Sequence, residues 1–425
     1  MTVTAETAAP ARVERWILPK LLTRTEVEKW LAELPLDLDE VIFHISGDGC
    51  RPGPGGTESL QSAICLLHRR GVRTKLSFPP TTFSDRSRVE ALSTAESESA
   101  GTQAERTLAY RLPGLVLAQL CEPADANSAA VMVKERQIVT VETNKHLFGH
   151  GTSRAIAVIG ANDHRTHLRA NAQDRQNQLE SRILRMLGTE NYHPARDNPL
   201  MEELVEFVYQ ATENTFDHGR KTFDGHTIQQ VRLAGFSRHI VGTGVNAVAL
   251  ERHFPDPSSH LHEYVKRAQK RFAHEGHDPK RFHLWSVSVA DGGVGIAAKM
   301  HKGLDIFDRD LAEEFKAVQD GVLPDGTTKP MGQPGRGRGL VKMMRATQRL
   351  GGFFEIRTGR LSLWRTYLNE DGSSEENLDF DHPASPAFTL RGENEAHVGV
   401  AGTVVSVLFP AFDLGPNSRP ARGRG

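Results

Sequence analysis

The sequence predicts an α/β protein built in two parts. Three observations carry this. Residues 41–78 run strand, Gly/Pro-rich loop, helix, strand, the order of a βαβ unit. Leu200 to Gly219 is a long helix with one apolar and one polar face. Two glycine-rich turns then follow in the C-terminal half, Asp291-Gly292-Gly293-Val294-Gly295 after an apolar strand and Gly335-Arg336-Gly337-Arg338-Gly339-Leu340 before a helix.

A chain of 425 residues has the length for two or three domains, and 38% apolar with 25% charged residues is the composition of an ordinary soluble protein. The formal charge of −1 provides no overall attraction to nucleic acid or to an anionic membrane, so neither is expected as a partner. Cys50, Cys65 and Cys121 are an odd, sparse set without C-x-x-C spacing, which argues against a disulfide framework or a zinc site and fits a reducing cytoplasm. The first residues lack the apolar core of a signal peptide, and no apolar run is long enough to span a bilayer. The expected location is cytoplasmic.

Residues 1–12 are small and polar without periodicity and are expected to be disordered. Val41 to Ser46 reads as a strand, Gly47 to Gly56 as a loop, Thr57 to Arg70 as a helix capped by Thr57 and stopped at Gly71, and Lys75 to Phe78 as a strand. This order of elements resembles the small α/β regulatory domains called STAS. Ser84 to Gln103 reads as a flexible insertion. A helix over Ala104 to Cys121 and a strand over Gln137 to Glu142 complete a domain spanning 13–170, with a helical connector over 171–190. Val231 to Val241 reads as a strand and Ser259 to His274 as a helix. His253, His260, His262 and His274, like the pair His164 and His167, are read as solvated surface histidines, since no H-E-x-x-H or matching Cys accompanies them.

Leu340 to Leu350 predicts a helix with a left-handed cap at Gly351-Gly352, and Phe353 to Arg357 with Leu361 to Tyr367 a hairpin across Thr358-Gly359-Arg360. Gly402 to Pro410 is the last strand, and the Pro/Gly/Arg-rich tail, 413–425, is expected to be disordered.

The chemistry concentrates in three places. Leu204, Phe207, Val208, Ala211 and Thr215 share one face of the long helix; Glu206, Gln210, Glu213 and Asp217 share the other, with Asn214 at the border. Trp285, Val287, Val289 and Asp291 share one face of a strand by its period of two, so Asp291 is a carboxylate on an apolar side and needs a partner there. Gly335, Gly337 and Gly339 expose backbone N–H groups at a helix start, where free donors and partial positive charge suit a phosphate chain. No G-x-x-x-x-G-K-[ST] loop occurs, and Leu340 stands where a G-x-G-x-x-G fingerprint needs its third glycine.

An Asn-bearing helix, a D-x-G-x-G turn and a G-x-G-x-G-L turn, in this order, resemble the GHKL ATPases: gyrase B, the heat-shock chaperones, the histidine kinases and the mismatch-repair ATPases. The resemblance covers about the C-terminal half. It implies an α/β sandwich over 191–412, a mixed sheet covered by helices, with ATP and Mg²⁺ as ligands. By the same resemblance Asp291 reads the adenine amine, and Gly293 and Gly295 let the backbone approach the purine. Asn214 holds Mg²⁺, and Asp217 and His218 sit where the family reaches toward nucleotide or metal. Gly335, Arg336, Gly337, Arg338, Gly339 and Leu340 take the phosphates. Thr403 opens the family's closing strand, and 296–334 form a lid whose Lys299, Lys302 and Lys329 are candidate phosphate contacts.

One position departs from the family. Its hydrolysing members carry a Glu general base one turn before the Asn; here that residue is Gln210, which is neutral and cannot accept a proton. The expectation is a cytoplasmic ATP·Mg²⁺-binding regulator with slow or absent hydrolysis, engaging a protein partner through its N-terminal domain, with homodimerisation left open. Two alternatives stand beside it. One is a protein kinase of the anti-sigma serine kinase or histidine kinase type, although His262-Glu263-Tyr264-Val265 lacks the Thr-Pro of an autophosphorylation segment. The other is an active ATPase with an unrecognised base.

Overall fold

The computed structural model describes residues 11–45, 50–52, 55–78, 117, 120–130, 132, 156–159, 199–217, 219, 232–241, 259–274, 282–324, 326, 337–392 and 396–410. The expected insertion at 84–103, strand at 137–142, connector at 171–190 and tail at 413–425 lie outside these residues, as do His164, His167 and His253. Of the helix expected over 104–121, only Leu117, Leu120 and Cys121 are described.

The N-terminal part is built on a parallel sheet in the order β1 (Val13–Ile17), β3 (Glu40–His44), β5 (Arg73–Ser77), β6 (Glu122–Pro123). Two short strands, β2 (Leu21–Leu22) and β4 (Arg51–Pro52), pair separately. Helix α1 (Arg24–Glu33) links β1 to β3, and α2 (Gly56–Arg69) links β3 to β5. Both links step the same way across the sheet, so right-handed crossovers place both helices on one face. There Trp16 stacks on Trp30 at 4.1 Å, and Leu60, Ile64 and Leu67 of α2 meet Val41, Phe43 and Leu76.

Three expectations are corrected here. The elements begin earlier than the strand expected from Val41, with β1 and α1; β1 is an edge strand whose Val13 and Ile17 are exposed, which hides its alternation. Arg12, expected in a disordered terminus, is held by Asp37 and Asp39. Thr57 is not the cap of α2: that place belongs to Gly55, at φ 64°, and Thr57 lies buried inside the first turn.

The C-terminal part is a seven-stranded sheet in the order β12-β11-β10-β13-β9-β8-β7. Its strands are β7 (Ile156–Ile159), β8 (Arg232–Val241), β9 (Phe282–Asp291), β10 (Phe353–Gly359), β11 (Leu361–Thr366), β12 (Arg391–Gly392) and β13 (Val400–Pro410). Every pairing in it is antiparallel. The expected mixed sheet is therefore corrected, and the last strand is the reason. Strands β9 and β10 run the same way, but β13 inserts between them and pairs antiparallel with both.

One face of this sheet carries the main core, sealed by α3 (Pro199–Asp217), α5 (Ile296–His301), α6 (Leu311–Val322) and α7 (Gly339–Arg349). The other face is covered in two places. Near Leu284, Phe353, Trp364 and Leu408 it carries α4 (His260–His274), through Tyr264, Val265 and Phe272. Near Glu355, Arg357 and Ser362 it meets α1, where Arg357 Nε bonds Glu28 at 2.6 Å and Arg24 binds Glu355 and Ser362. His262 in α4 is 3% exposed, so the expectation of a solvated histidine fails there, whereas His260, whose ring lies against Trp364, and His274 are exposed as expected.

Helix α2 is buried on two sides. Leu60, Ala63, Ile64 and Leu67 face the N-terminal core. Glu58, Ser62, Cys65 and Arg69 follow at i, i+4, i+7 and i+11, a single stripe on the opposite side. Cys65 and Arg69 of that stripe meet the end of β9.

Candidate functional site

A cleft of ≈ 840 Å³ opens between α3, α5, α6 and the start of α7, over the ends of β9 and β13. Its walls include Asn214 and Thr215 from α3, Val289 and Asp291 from β9, Gly295, Ile296, Lys299 and Met300 at α5, Gly337, Gly339 and Leu340 at α7, and Thr403 and Val405 from β13.

Asp291 anchors the closed end. Trp285, Val287 and Val289 of its row lie in the main core, and Asp291 itself is only 8% exposed, as the period of two predicts. Its Oδ1 accepts the backbone N–H of Gly293 at 2.7 Å. Two glycines make room for it. A Cβ on Gly219 would sit 2.6 Å from Asp291 Cβ, and one on Gly402, at φ 78°, would meet the Asp291 carbonyl oxygen. Beside it Thr358 Oγ1 accepts the N–H of Ile296 at 3.0 Å, donates to the Gly402 carbonyl and lies 3.3 Å from Thr403 Oγ1. This end thus offers a fixed carboxylate and the Thr403 hydroxyl beside the apolar side chains of Val289 and Val405, with the buried Thr358 hydroxyl behind them holding the Ile296 N–H and the Gly402 carbonyl.

The other end is made by a helix start. Gly337 takes φ 67°, Arg338 occupies the cap position without a side-chain hydrogen bond, and α7 begins at Gly339. Its first N–H groups therefore lack a side-chain cap and retain the partial positive charge of a helix N-terminus. Asn214 lies against this start: a Cβ on Gly339 would be 2.8 Å from Asn214 Oδ1. Lys299 brings a cation to the same cleft.

Of the expected site residues, Asn214, Asp291, Gly295, Gly337, Gly339, Leu340 and Thr403 meet on this one cleft. Gly293 is buried in the turn behind it. Arg338 is exposed at the cap and is not part of the wall. The side chains of Asp217 and His218, and Gly335, Arg336 and Lys329 entirely, lie outside the described residues. Gln210 is absent from the wall; its Nε2 donates to Glu206 Oε1 at 3.0 Å, and Glu206 is held in turn by Lys342 at 2.9 Å.

The lid expected over 296–334 is corrected for 296–324. That stretch forms α5, a 3-10 turn at Leu304–Asp308 and α6, packed into the main core through Ala297, Ala298, Ile306, Val318 and Val322. Lys302 sits at the left-handed end of α5 and does not line the cleft. The residues missed in the sequence are Gly219, Thr358, Met300 and the wall residue Gly321 of α6. Of these only Thr358 had a visible signal, a hydroxyl one step before the hairpin glycine.

Among the described residues, no three His, Cys, Asp or Glu side chains are grouped to hold a metal ion, and no helix is long and apolar enough to cross a membrane. No protein-family model, curated protein or solved structure matches this chain.

Proposed function

We propose that the chain binds ATP·Mg²⁺ in this cleft through a domain of the GHKL type spanning 191–412, and that the N-terminal α/β part, 13–170, STAS-like in its order of elements, is a regulatory or partner-binding domain. The observation that supports this most is the convergence of Asn214, Asp291, Gly295, Gly337, Gly339, Leu340 and Thr403, from four separate stretches of chain, on one cavity.

In this reading the Asp291 carboxylate accepts the exocyclic amine of adenine, held in orientation by the Gly293 N–H. Thr403 supplies a hydroxyl at the ring edge, backed by the buried Thr358 hydroxyl 3.3 Å from it, with Val289 and Val405 beside the base. The phosphates lie toward the start of α7 and Lys299. Asn214 fits Mg²⁺ as one hard oxygen donor, the remaining positions being filled by phosphate oxygens and water, the usual manner of holding this ion. The bound ion would neutralise phosphate charge.

Gln210 supports slow turnover on two grounds. An amide is no base, and its side chain is engaged by Glu206. The test is calorimetric titration with ATP, ADP and a non-hydrolysable analogue, with and without Mg²⁺, beside a long-incubation phosphate-release assay. Mg²⁺-dependent ATP binding with slow release is the expected result; absence of binding at millimolar ATP would remove the proposal.

A further inference from the structure

The turn that carries Asp291 is gripped from behind by a residue of the N-terminal part. Arg69, in the last turn of α2, donates through Nη2 to the backbone carbonyls of both Gly292 and Gly293. One turn earlier on the same stripe, Cys65 packs on Gly292, where an added Cβ would stand 3.2 Å from its Sγ. Burial pushes the Cys65 thiol up to about 11; the Arg69 charge opposes this and the Asp291 charge adds to it, so all three groups are in electrostatic reach.

The geometry points to Arg69 as a positioning residue for Asp291, and through it to docking of α2 as a control on what the cleft binds. A trans peptide turns its carbonyl and its N–H in opposite directions. The peptide joining Gly292 to Gly293 is trans, so a Gly292 carbonyl drawn toward Arg69 aims the Gly293 N–H the other way. That N–H holds Asp291 Oδ1 at 2.7 Å. One peptide plane thus links a guanidinium on α2 to a carboxylate in the cleft. Gly292 has no side chain to hold this plane, so the carbonyl contacts decide its orientation. Ligand affinity and docking of α2 are then linked reciprocally: whatever loosens one loosens the other.

This control rests on the ATP reading, but the positioning does not, and the two are separated by two readouts on the full chain. Arg69→Met removes both donors and keeps the stem. Hydrogen exchange of the backbone amides at 291–295, without nucleotide, is expected to quicken by about tenfold, the partly exposed guanidinium being worth less than a buried one. Affinity for ATP·Mg²⁺ is expected to fall by a similar factor, and Arg69→Lys to recover most of both. Unchanged exchange in a folded Arg69→Met protein overturns the positioning role. Faster exchange with wild-type ATP affinity overturns the control of the cleft. Failure of the wild type itself to bind ATP removes the nucleotide reading and the control with it, while exchange still decides the positioning. Should Arg69→Met melt early, Arg69→Gln, which retains one donor group, carries the same comparison.

Discussion

Asp291 is a carboxylate set at the end of an apolar row, and the residues that allow it there are mostly glycines. Gly219 lies so close that a methyl group would overlap both Asp291 Cβ and the Thr215 carbonyl. Gly219→Ala is therefore expected to cost about 1–3 kcal/mol by overpacking and to weaken ligand binding in the cleft, both measurable by thermal melts with and without ATP. A second residue, Glu58, is buried on the sheet-facing stripe of α2, and burial pushes its carboxyl up to about 7 from 4.5. The raised value fixes the sign. Glu58 is protonated in both folded and unfolded chains below pH 4.5, and stability is lost as pH rises from there through about 7. The loss comes to about 3 kcal/mol. Glu58→Gln is expected to melt higher than wild type at pH 8, with the difference vanishing below pH 4.5 in a series of melts; an equal gap at both ends would contradict the burial of a titrating carboxyl. Asp291 and Asn214 were legible in the sequence because residue type and strand or helix period placed them. Gly219 was not, because its part is a steric contact with a residue far along the chain, which local pattern does not encode.

Helix α3 was legible nearly to its ends: Leu204, Phe207, Val208, Ala211 and Thr215 are all buried, as the helical period predicts. The same holds for α7, for its left-handed stop at Gly351 and for the β10–β11 hairpin, each marked by its own punctuation. The lid over 296–324 was expected from the resemblance alone, and the residues do not mark α5 strongly, because Ala297 and Ala298, which bury it, pack without announcing a strong period. On α3 the pair Glu206 and Gln210 gives a prediction at this scale. Gln210→Glu places a second carboxylate one turn from Glu206, where like charges repel. Glu206 keeps Lys342, so the new carboxylate is expected to leave it and serve as a base, raising phosphate release about tenfold or more with little change in ATP affinity. An unchanged rate would show that position 210 does not reach the attacking water.

Across the whole molecule, α1 and α2 form a layer shared by the parallel and antiparallel sheets. This sharing was invisible in the sequence, because the polar stripe of α2 reads as a solvated face and α1 lies outside any motif. The contact is held by Arg357, 2% exposed on its side chain, which bonds Glu28 through Nε and Nη2 and also donates to the carbonyls of Gly359, Leu361 and Val398. Burial works against the Glu28 carboxylate, but the Arg357 charge and hydrogen bonds prevail and hold it below its usual range of 4.5. Its contribution is therefore present above pH 4.5 and lost as pH falls through the lowered value, the opposite of Glu58. Glu28→Ala leaves a buried guanidinium without its carboxylate and is expected to cost about 3–5 kcal/mol, read by denaturant unfolding at pH 7.

The most direct measurement of the nucleotide reading is a calorimetric titration of wild type, Asp291→Asn and Asn214→Ala with ATP·Mg²⁺ and, separately, with adenosine. Asp291 is assigned to the base and Asn214 to the metal and phosphates, so the two variants are expected to part. Asp291→Asn should weaken both ligands by about 1.5–3 kcal/mol, the worth of a hydrogen bond to a charged group. Asn214→Ala should weaken ATP·Mg²⁺ and leave adenosine as in wild type. If folded Asp291→Asn binds ATP within twofold of wild type, or if Asn214→Ala loses adenosine and ATP equally, the cleft does not read a nucleotide through these residues.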